Sequence, residues 1–570
     1  MNLLTDPWLP ILLKNGEMDY RPPSAVAAPD VINLALPRAD FQGAAYQFLI
    51  GLLQTALPPK SHGDWLDQLT APPSAEALNT AFAPFSSAFE LDGDGPRFMQ
   101  DLDPLDDVQN ATISGLLIDA PGANGIKNNT DFFVKRGRVE VMCESCAAIA
   151  LYTMQINAPA GGAGIRVGLR GGGPLTTLVM PESSTASLWQ RLWLNVVTAK
   201  RVTQKAQQWS TPHPEEPSLF FWMANTRVSD KKGTEVLPED THPLHAYWSM
   251  PRRFRLQFEN TQDCQCDICG RKTQRVVREL RAKKQGANYD GPWLHPLTPY
   301  RRDPKKPNEL PLSSKGQPGG LGYRHWAGFV LSDADDSGAI PAAVLQDYVS
   351  DKQRIAADER SLGEDVPALL AHARVWAFGY DMDNMKPRGW YSTEMPLVDI
   401  PQGQQEKLRK WVQQLTELAR NIAWMVRTQV KNAWFSRPAD AKGDMSAIDI
   451  QFYDATQPAF FNALLGIQHA LQHDPSNPHI PSHVAEDWYF ALKREAMRMF
   501  EDQALSGALE SVDLERATAA HRQLQRYLGG KSKGKGSNVV SDFIEQGAFD
   551  PSGQAKRNAA SAATTTGDAR

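Results

Sequence analysis

Cysteine is scarce in this chain, with five in 570 residues, and an excess of one charge and a long apolar run are both missing. Each absence excludes something. So few cysteines cannot staple a secreted disulfide scaffold of this length. No stretch approaches the roughly 18 uninterrupted apolar residues of a membrane span. The opening Met1-Asn2-Leu3-Leu4-Thr5-Asp6-Pro7-Trp8 has no basic leader and is broken by Asp6 and Pro7. A cytoplasmic protein with no membrane partner is expected. Lys+Arg number 60 against 65 Asp+Glu, so the net charge of -5 gives no global pull toward nucleic acid, and any basic surface is local. HExxH is absent, which counts against a zinc hydrolase, and the glycine-rich run 160–173 lacks the GK[ST] of a P-loop.

What is present is aromatic and apolar bulk. With 15 Trp, 22 Phe and 42% hydrophobic residues the chain can bury a large core. Residues 1–395 mix short β-branched or aromatic runs with many Gly and Pro and a few helical patterns such as 44–57, the texture of an irregular α+β domain. Segments 211–217 and 300–322 read as surface loops. From residue 402 the pattern changes. Leu408, Trp411, Leu415, Leu418, Ile422, Met425 and Val430 form an amphipathic stripe, and three further helical segments follow over 448–471, 482–505 and 512–528. Ser482, with Glu486 and Asp487 behind it, is expected to cap its helix. Four such helices with short connections predict an antiparallel four-helix bundle over 402–530. After Gly529-Gly530 a Lys/Gly/Ser run and an Ala/Thr-rich end predict a disordered tail, 531–570.

The five cysteines cluster informatively. Cys143-Glu144-Ser145-Cys146 and Cys266-Asp267-Ile268-Cys269 are two CxxC pairs, the spacing with which one turn presents two thiolates to a tetrahedral ion. Together they predict a structural Zn2+ site with no open position for water; two unrelated thiol pairs, or one redox pair, are the alternative. Cys264 competes with Cys266 as ligand.

The second pair lies inside residues 251–306, which hold 14 Lys+Arg against six Asp+Glu. That asymmetry suits nucleic acid, and equally a solvated charged face. The run 160–173 is rich in glycine, letting backbone approach a ligand closely, with Arg166 and Arg170 as phosphate partners; a plain turn is the other reading. Asp381 and Asp383 follow the apolar run Val375-Trp376-Ala377-Phe378, a strand ending in DxD. This keeps a metal-dependent phosphatase or nuclease as an alternative function.

Taken in order, Asn2-Leu3-Leu4-Thr5-Asp6-Pro7-Trp8-Leu9-Pro10, Leu36-Pro37-Arg38-Ala39-Asp40, Cys143-x-x-Cys146, Gly168-Leu169-Arg170-Gly171-Gly172, Cys266-x-x-Cys269-Gly270 and Trp293-x-His295-Pro296 resemble the CasA family, the large subunit of the type I-E CRISPR Cascade complex. The resemblance implies a non-enzymatic subunit of an RNA-guided surveillance complex. Such a subunit would recognise the protospacer-adjacent motif (PAM) on double-stranded DNA, start strand separation and dock a helicase-nuclease. Its partners would be the other Cascade subunits with their guide RNA. On matching positions, Lys284 corresponds to the lysine finger that enters the minor groove, and Ala160, Gly161, Gly162, Ala163 and Gly164 to the glycine loop. Asn384, preceded by Asp383, stands where the family has its wedge glutamine. Phe132, in the segment beginning at Asn129, matches the aromatic that anchors the subunit near the guide RNA.

Overall fold

A computed structural model describes residues 1–122, 127, 137–203, 208–306, 308–333, 338–355, 358, 370, 372–383, 386–399, 403–443, 445–506, 513–530 and 537–552. The chain divides into two compact units: Met1–Gln317 with Gly328–Leu397, and Pro318–Ala327 with Val398–Arg570.

The first unit mixes helices and small sheets. Strand β1 (Leu9–Leu13) pairs with β2 (Met18–Arg21) and β3 (Val31–Leu34), and β3 leads into helix α1 (Ala39–Ala56). Fifteen of the eighteen residues of α1 are buried, because its sequence is apolar or small almost all round. Phe48 on this helix is the aromatic hub, meeting Trp8, Phe89, Phe98, Tyr152 and Trp248 edge-on. The buried Gln54 closes a two-way hydrogen bond with the backbone of Val197, donating at 2.7 Å and accepting at 2.9 Å.

The strands that frame the site come next. Short strands β4 (Ala111–Thr112) and β5 (Met142–Cys143) precede helix α2 (Glu144–Asn157), itself buried at all but one residue. After β6 (Thr176–Pro181) comes a long hairpin, β7 (Arg253–Gln265) with β8 (Lys272–Lys283), paired from Arg253↔Lys283 to Gln265↔Lys272 with register shifts after Gln257 and Asn260. The other edge of β8 carries β4 and β5. A second hairpin, β9 (Ala373–Asp383) with β10 (Lys386–Pro396), adds β6 on its far side.

The second unit is helical: α3 (Gln405–Trp434), α4 (Ser446–His473), α5 (Ser482–Ala504), α6 (Leu514–Leu528) and α7 (Ser537–Gly547). The expected stripe of α3 is buried throughout, and helix α3 packs on each of the others. Two expectations are corrected. The cap position of α5 is Pro481, with Ser482 as the first helical residue, since proline ends the preceding extended segment and its carbonyl accepts from Val484 and Ala485. The expected disordered tail contains a helix, residues 537–547. Val540 and Phe543 give residues 537–547 an apolar face, and both are buried. A third departure is that the last residues of an expected surface loop, 318–322, belong to this unit together with 323–327, where Tyr323 stacks on Phe460 at 4.4 Å and bonds Thr456 at 2.9 Å.

Candidate metal centre and nucleic-acid interface

The two CxxC pairs converge. Cys143 ends β5 and precedes α2, so the first helical turn carries Cys146 to the same side. Across from it the turn closing the β7–β8 hairpin is wound by Cys266 N–H donating to Arg271 O (2.9 Å) and Gly270 N–H to Cys266 O (2.9 Å), with Gly270 at φ +73°. Asp267 sews the two segments together, its carboxylate accepting from Glu140 N–H and Val141 N–H at 2.8 Å each. Sγ atoms of Cys143, Cys146, Cys266 and Cys269 all lie within 4.8 Å of one another.

The donor set fits a tetrahedral ion. Metal–sulfur bonds of about 2.3 Å imply sulfurs about 3.8 Å apart, and Cys143 and Cys269 stand at 3.7 Å. All the cysteines are free rather than disulfide-bonded. Hydrogen bonds from the Cys143 and Cys146 thiols pull Cys266 and Cys269 below the ordinary thiol range, while the bond to Cys143 pushes Cys146 up. Four thiols this close cannot all keep independent protons. Cys264, the competing thiol, lies outside the cluster and accepts from the Arg278 guanidinium at 3.3 Å.

Part of the basic segment is paired with acids from elsewhere in the chain. Arg253 pairs with Asp101 and Asp103, Arg275 with Asp92 and Glu144, Arg281 with Asp106, and Lys283 with Asp107. Within the hairpin Arg278 meets Glu259 at 2.8 Å and Lys272 meets Asp263 at 3.2 Å. The acids between 92 and 107 thus pair with four of the 14 cations of 251–306, at the hairpin rather than along the whole segment.

Lys284 lies just beyond the hairpin. It is exposed, and among the described residues no hydrogen bond or ion pair engages its ammonium. The glycine-rich loop comes up beside it. Ala160, Gly161, Gly162 and Ala163 are exposed, and Gly164 turns at φ +80°. A methyl group built on Gly164 would stand 3.3 Å from Lys284 Cβ, and Gln285 N–H donates to Gly164 O at 2.7 Å. Gly172 supports the loop, since a Cβ there would meet Ala160 N at 2.7 Å.

Arg170 is not a phosphate partner. It is buried and donates to Thr176 Oγ1, Thr298 Oγ1 and Ile156 O at 3.0–3.1 Å, and burial pulls its pKa down to about 10. Arg166 is half-buried and spends its guanidinium on Ser229, through Nε at 2.7 Å and Nη2 at 2.8 Å. Ser229 and the acids at 92–107 carry no motif, and sequence reasoning missed both. The only signal for the acids was their density along the chain.

Asp381 and Asp383 do not share one environment. Asp381 is buried, grips Arg388 through both oxygens (2.7 and 3.0 Å) and accepts from Tyr391 at 3.1 Å, whereas Asp383 is exposed, 3.8 Å from Arg388. A carboxylate so committed is poorly placed to hold magnesium, and the pair is not among the described clusters of metal-ligating side chains. Asn384 lies outside the described residues, between β9 and β10; so do Phe132 and Asn129.

Comparison with known proteins follows the same lines. The family model for CRISPR-associated protein Cse1 matches residues 2–499. The fold is similar to the structure of Thermus thermophilus CasA (Cse1), with TM-score 0.63 at 17% identity, covering 92% of this chain and 99% of that one. Cse1 from Acidimicrobium ferrooxidans gives TM-score 0.63 at 14% identity, over 95% and 99% of the two chains. Thermobifida fusca Cse1 gives 0.62 at 14%, over 95% and 98%.

Proposed function

This chain belongs to the Cse1 (CasA) family, the large subunits of the type I-E CRISPR Cascade complex, and from that premise we propose that it reads the PAM on double-stranded DNA and opens the duplex beside it. The observation that carries the reading is the unengaged ammonium of Lys284 standing next to the exposed loop 160–164. A lysine in the minor groove meets acceptors common to several base pairs, so motif reading is tolerant. Backbone at Gly161, Gly162 and Gly164 approaches the same groove, while Ala160 and Ala163 add only methyl groups. Asn384, with Asp383 before it, is the proposed wedge. Unstacking a base step costs about a few kcal/mol, which phosphate contacts offset. Phe132 and Asn129 are proposed to anchor the subunit near the guide RNA.

The four cysteines are proposed to hold zinc. Four thiolates leave no open position, so the ion would brace the hairpin rather than activate water. The subunit is then not an enzyme, and cleavage falls to a recruited helicase-nuclease. The helical unit, which we read as the expected four-helix bundle with α7 added, is the proposed surface for partner subunits and displaced DNA. No helix of the described residues is long and apolar enough to cross a membrane.

The test is reconstitution with guide RNA and the other Cascade subunits, with and without this chain, on duplexes that differ only in the PAM. Selectivity for the PAM-bearing duplex is expected only when the chain is present. Equal selectivity without it would overturn the proposal.

A further inference from the structure

The turn around Ser229 has no role in the reading above, yet this buried serine meets both loops of the site. Gln285 adopts a left-handed backbone, φ +64°, which a residue with a Cβ holds only when its surroundings impose it. Three hydrogen bonds impose it here. Gln285 N–H donates to Gly164 O at 2.7 Å, Ser229 N–H donates to Gln285 O at 3.1 Å, and the Ser229 hydroxyl donates to Gly286 O at 2.7 Å. Ser229 is gripped in turn by Arg166, whose Nε donates to its hydroxyl oxygen and Nη2 to its carbonyl. Arg166 is itself fixed by Arg252 Nε donating to its carbonyl at 2.6 Å. Gly286 closes the turn from the other side, since a Cβ there would lie 2.1 Å from Pro251 O.

We infer that Arg166 and Ser229 form a latch that holds Gln285 in its left-handed turn and so fixes where the Lys284 ammonium reaches relative to Gly164. They are positioning residues for duplex recognition. A planar guanidinium making two directed bonds restrains the serine in a way a point charge does not. With the latch open, Gln285 relaxes toward negative φ. That rotation turns the peptide that follows Lys284 and swings the lysine off the glycine loop. The inference rests on the reading of Lys284 as the residue that faces DNA.

The experiment is a double-mutant cycle in the assembled guide complex, measuring the ratio of affinities for PAM-bearing and PAM-free duplexes. Ser229→Ala is expected to lower that ratio about three- to tenfold, the worth of one or two hydrogen bonds, and to lower it no further in a Lys284→Ala background. Arg166→Gln is the second variant, should Ser229→Ala not assemble. Arg166→Lys separates a latch from a phosphate contact: a latch predicts that Lys behaves like Gln with the salt dependence of nonspecific binding unchanged, whereas a phosphate contact is rescued by Lys. Loss of ratio on Lys284→Ala but not on Ser229→Ala or Arg166→Gln, equal loss in both backgrounds, or rescue by Lys would overturn the latch. No loss on Lys284→Ala would overturn the reading of the site itself.

Discussion

The two ends of the β7–β8 hairpin are held by different physics. At the closing turn, four largely buried sulfurs converge within 4.8 Å and Asp267 receives two backbone N–H groups. At the base, Arg281 and Lys283 meet Asp106 and Asp107, whose side chains are 73% and 62% exposed. Directed bonds in a buried site set geometry; exposed pairs are screened and contribute little. The base therefore needs the backbone bonds to Gly164 and Ser229 to place Lys284, and its ion pairs serve mainly to leave that lysine as a local cation. Also at the base, opposite Lys283, Arg253 pairs with Asp101, both buried, an intermediate case.

The contrast is broken first at the sulfur end. Cys266→Ser is expected to cause the largest loss of stability of any single substitution here, because structural zinc supplies on the order of 10 kcal/mol in small sites. Elemental analysis before and after chelation, paired with thermal unfolding, checks it; a chain that carries no metal and unfolds at the same temperature as the variant would refute it. Next in size is Asp101→Asn, which leaves the buried Arg253 guanidinium without its main carboxylate partner. A loss of about 3–5 kcal/mol is expected from denaturant unfolding, and a loss like that of a surface residue would place the pair on the exposed side of the comparison. Smallest are Asp106→Asn and Asp107→Asn, for which the unfolding midpoint should not move measurably. Each instead frees a cation beside Lys284 and should strengthen binding to PAM-bearing and PAM-free DNA alike, most visibly at low salt.

The same contrast separates what was legible in the sequence from what was not. Cys143, Cys146, Cys266 and Cys269 were legible because a CxxC turn carries its own stereochemistry; only the choice of Cys266 over Cys264 needed the fold. The stripe from Leu408 to Val430 was legible for a like reason, since helical period is local. The fate of the basic segment was not. Asp101 lies 152 residues from Arg253, and no charge count over a window includes it. Helix 537–547 was hidden by the Lys/Gly run before it, which suggested disorder beyond its own extent. In the site, Lys284 and Gly164 were named from family resemblance, but Ser229 and the left-handed Gln285 carry no motif that could have announced them.

The most direct measurement compares Lys284→Ala with Arg281→Ala in the assembled guide complex, reading the affinity ratio for PAM-bearing over PAM-free duplex. Loss of the unengaged lysine is expected to lower that ratio by the equivalent of about 1–3 kcal/mol, the worth of a good base contact. Loss of the Asp106-paired arginine should leave the ratio unchanged. Equal effects from the two, or no effect from Lys284→Ala, would contradict the account.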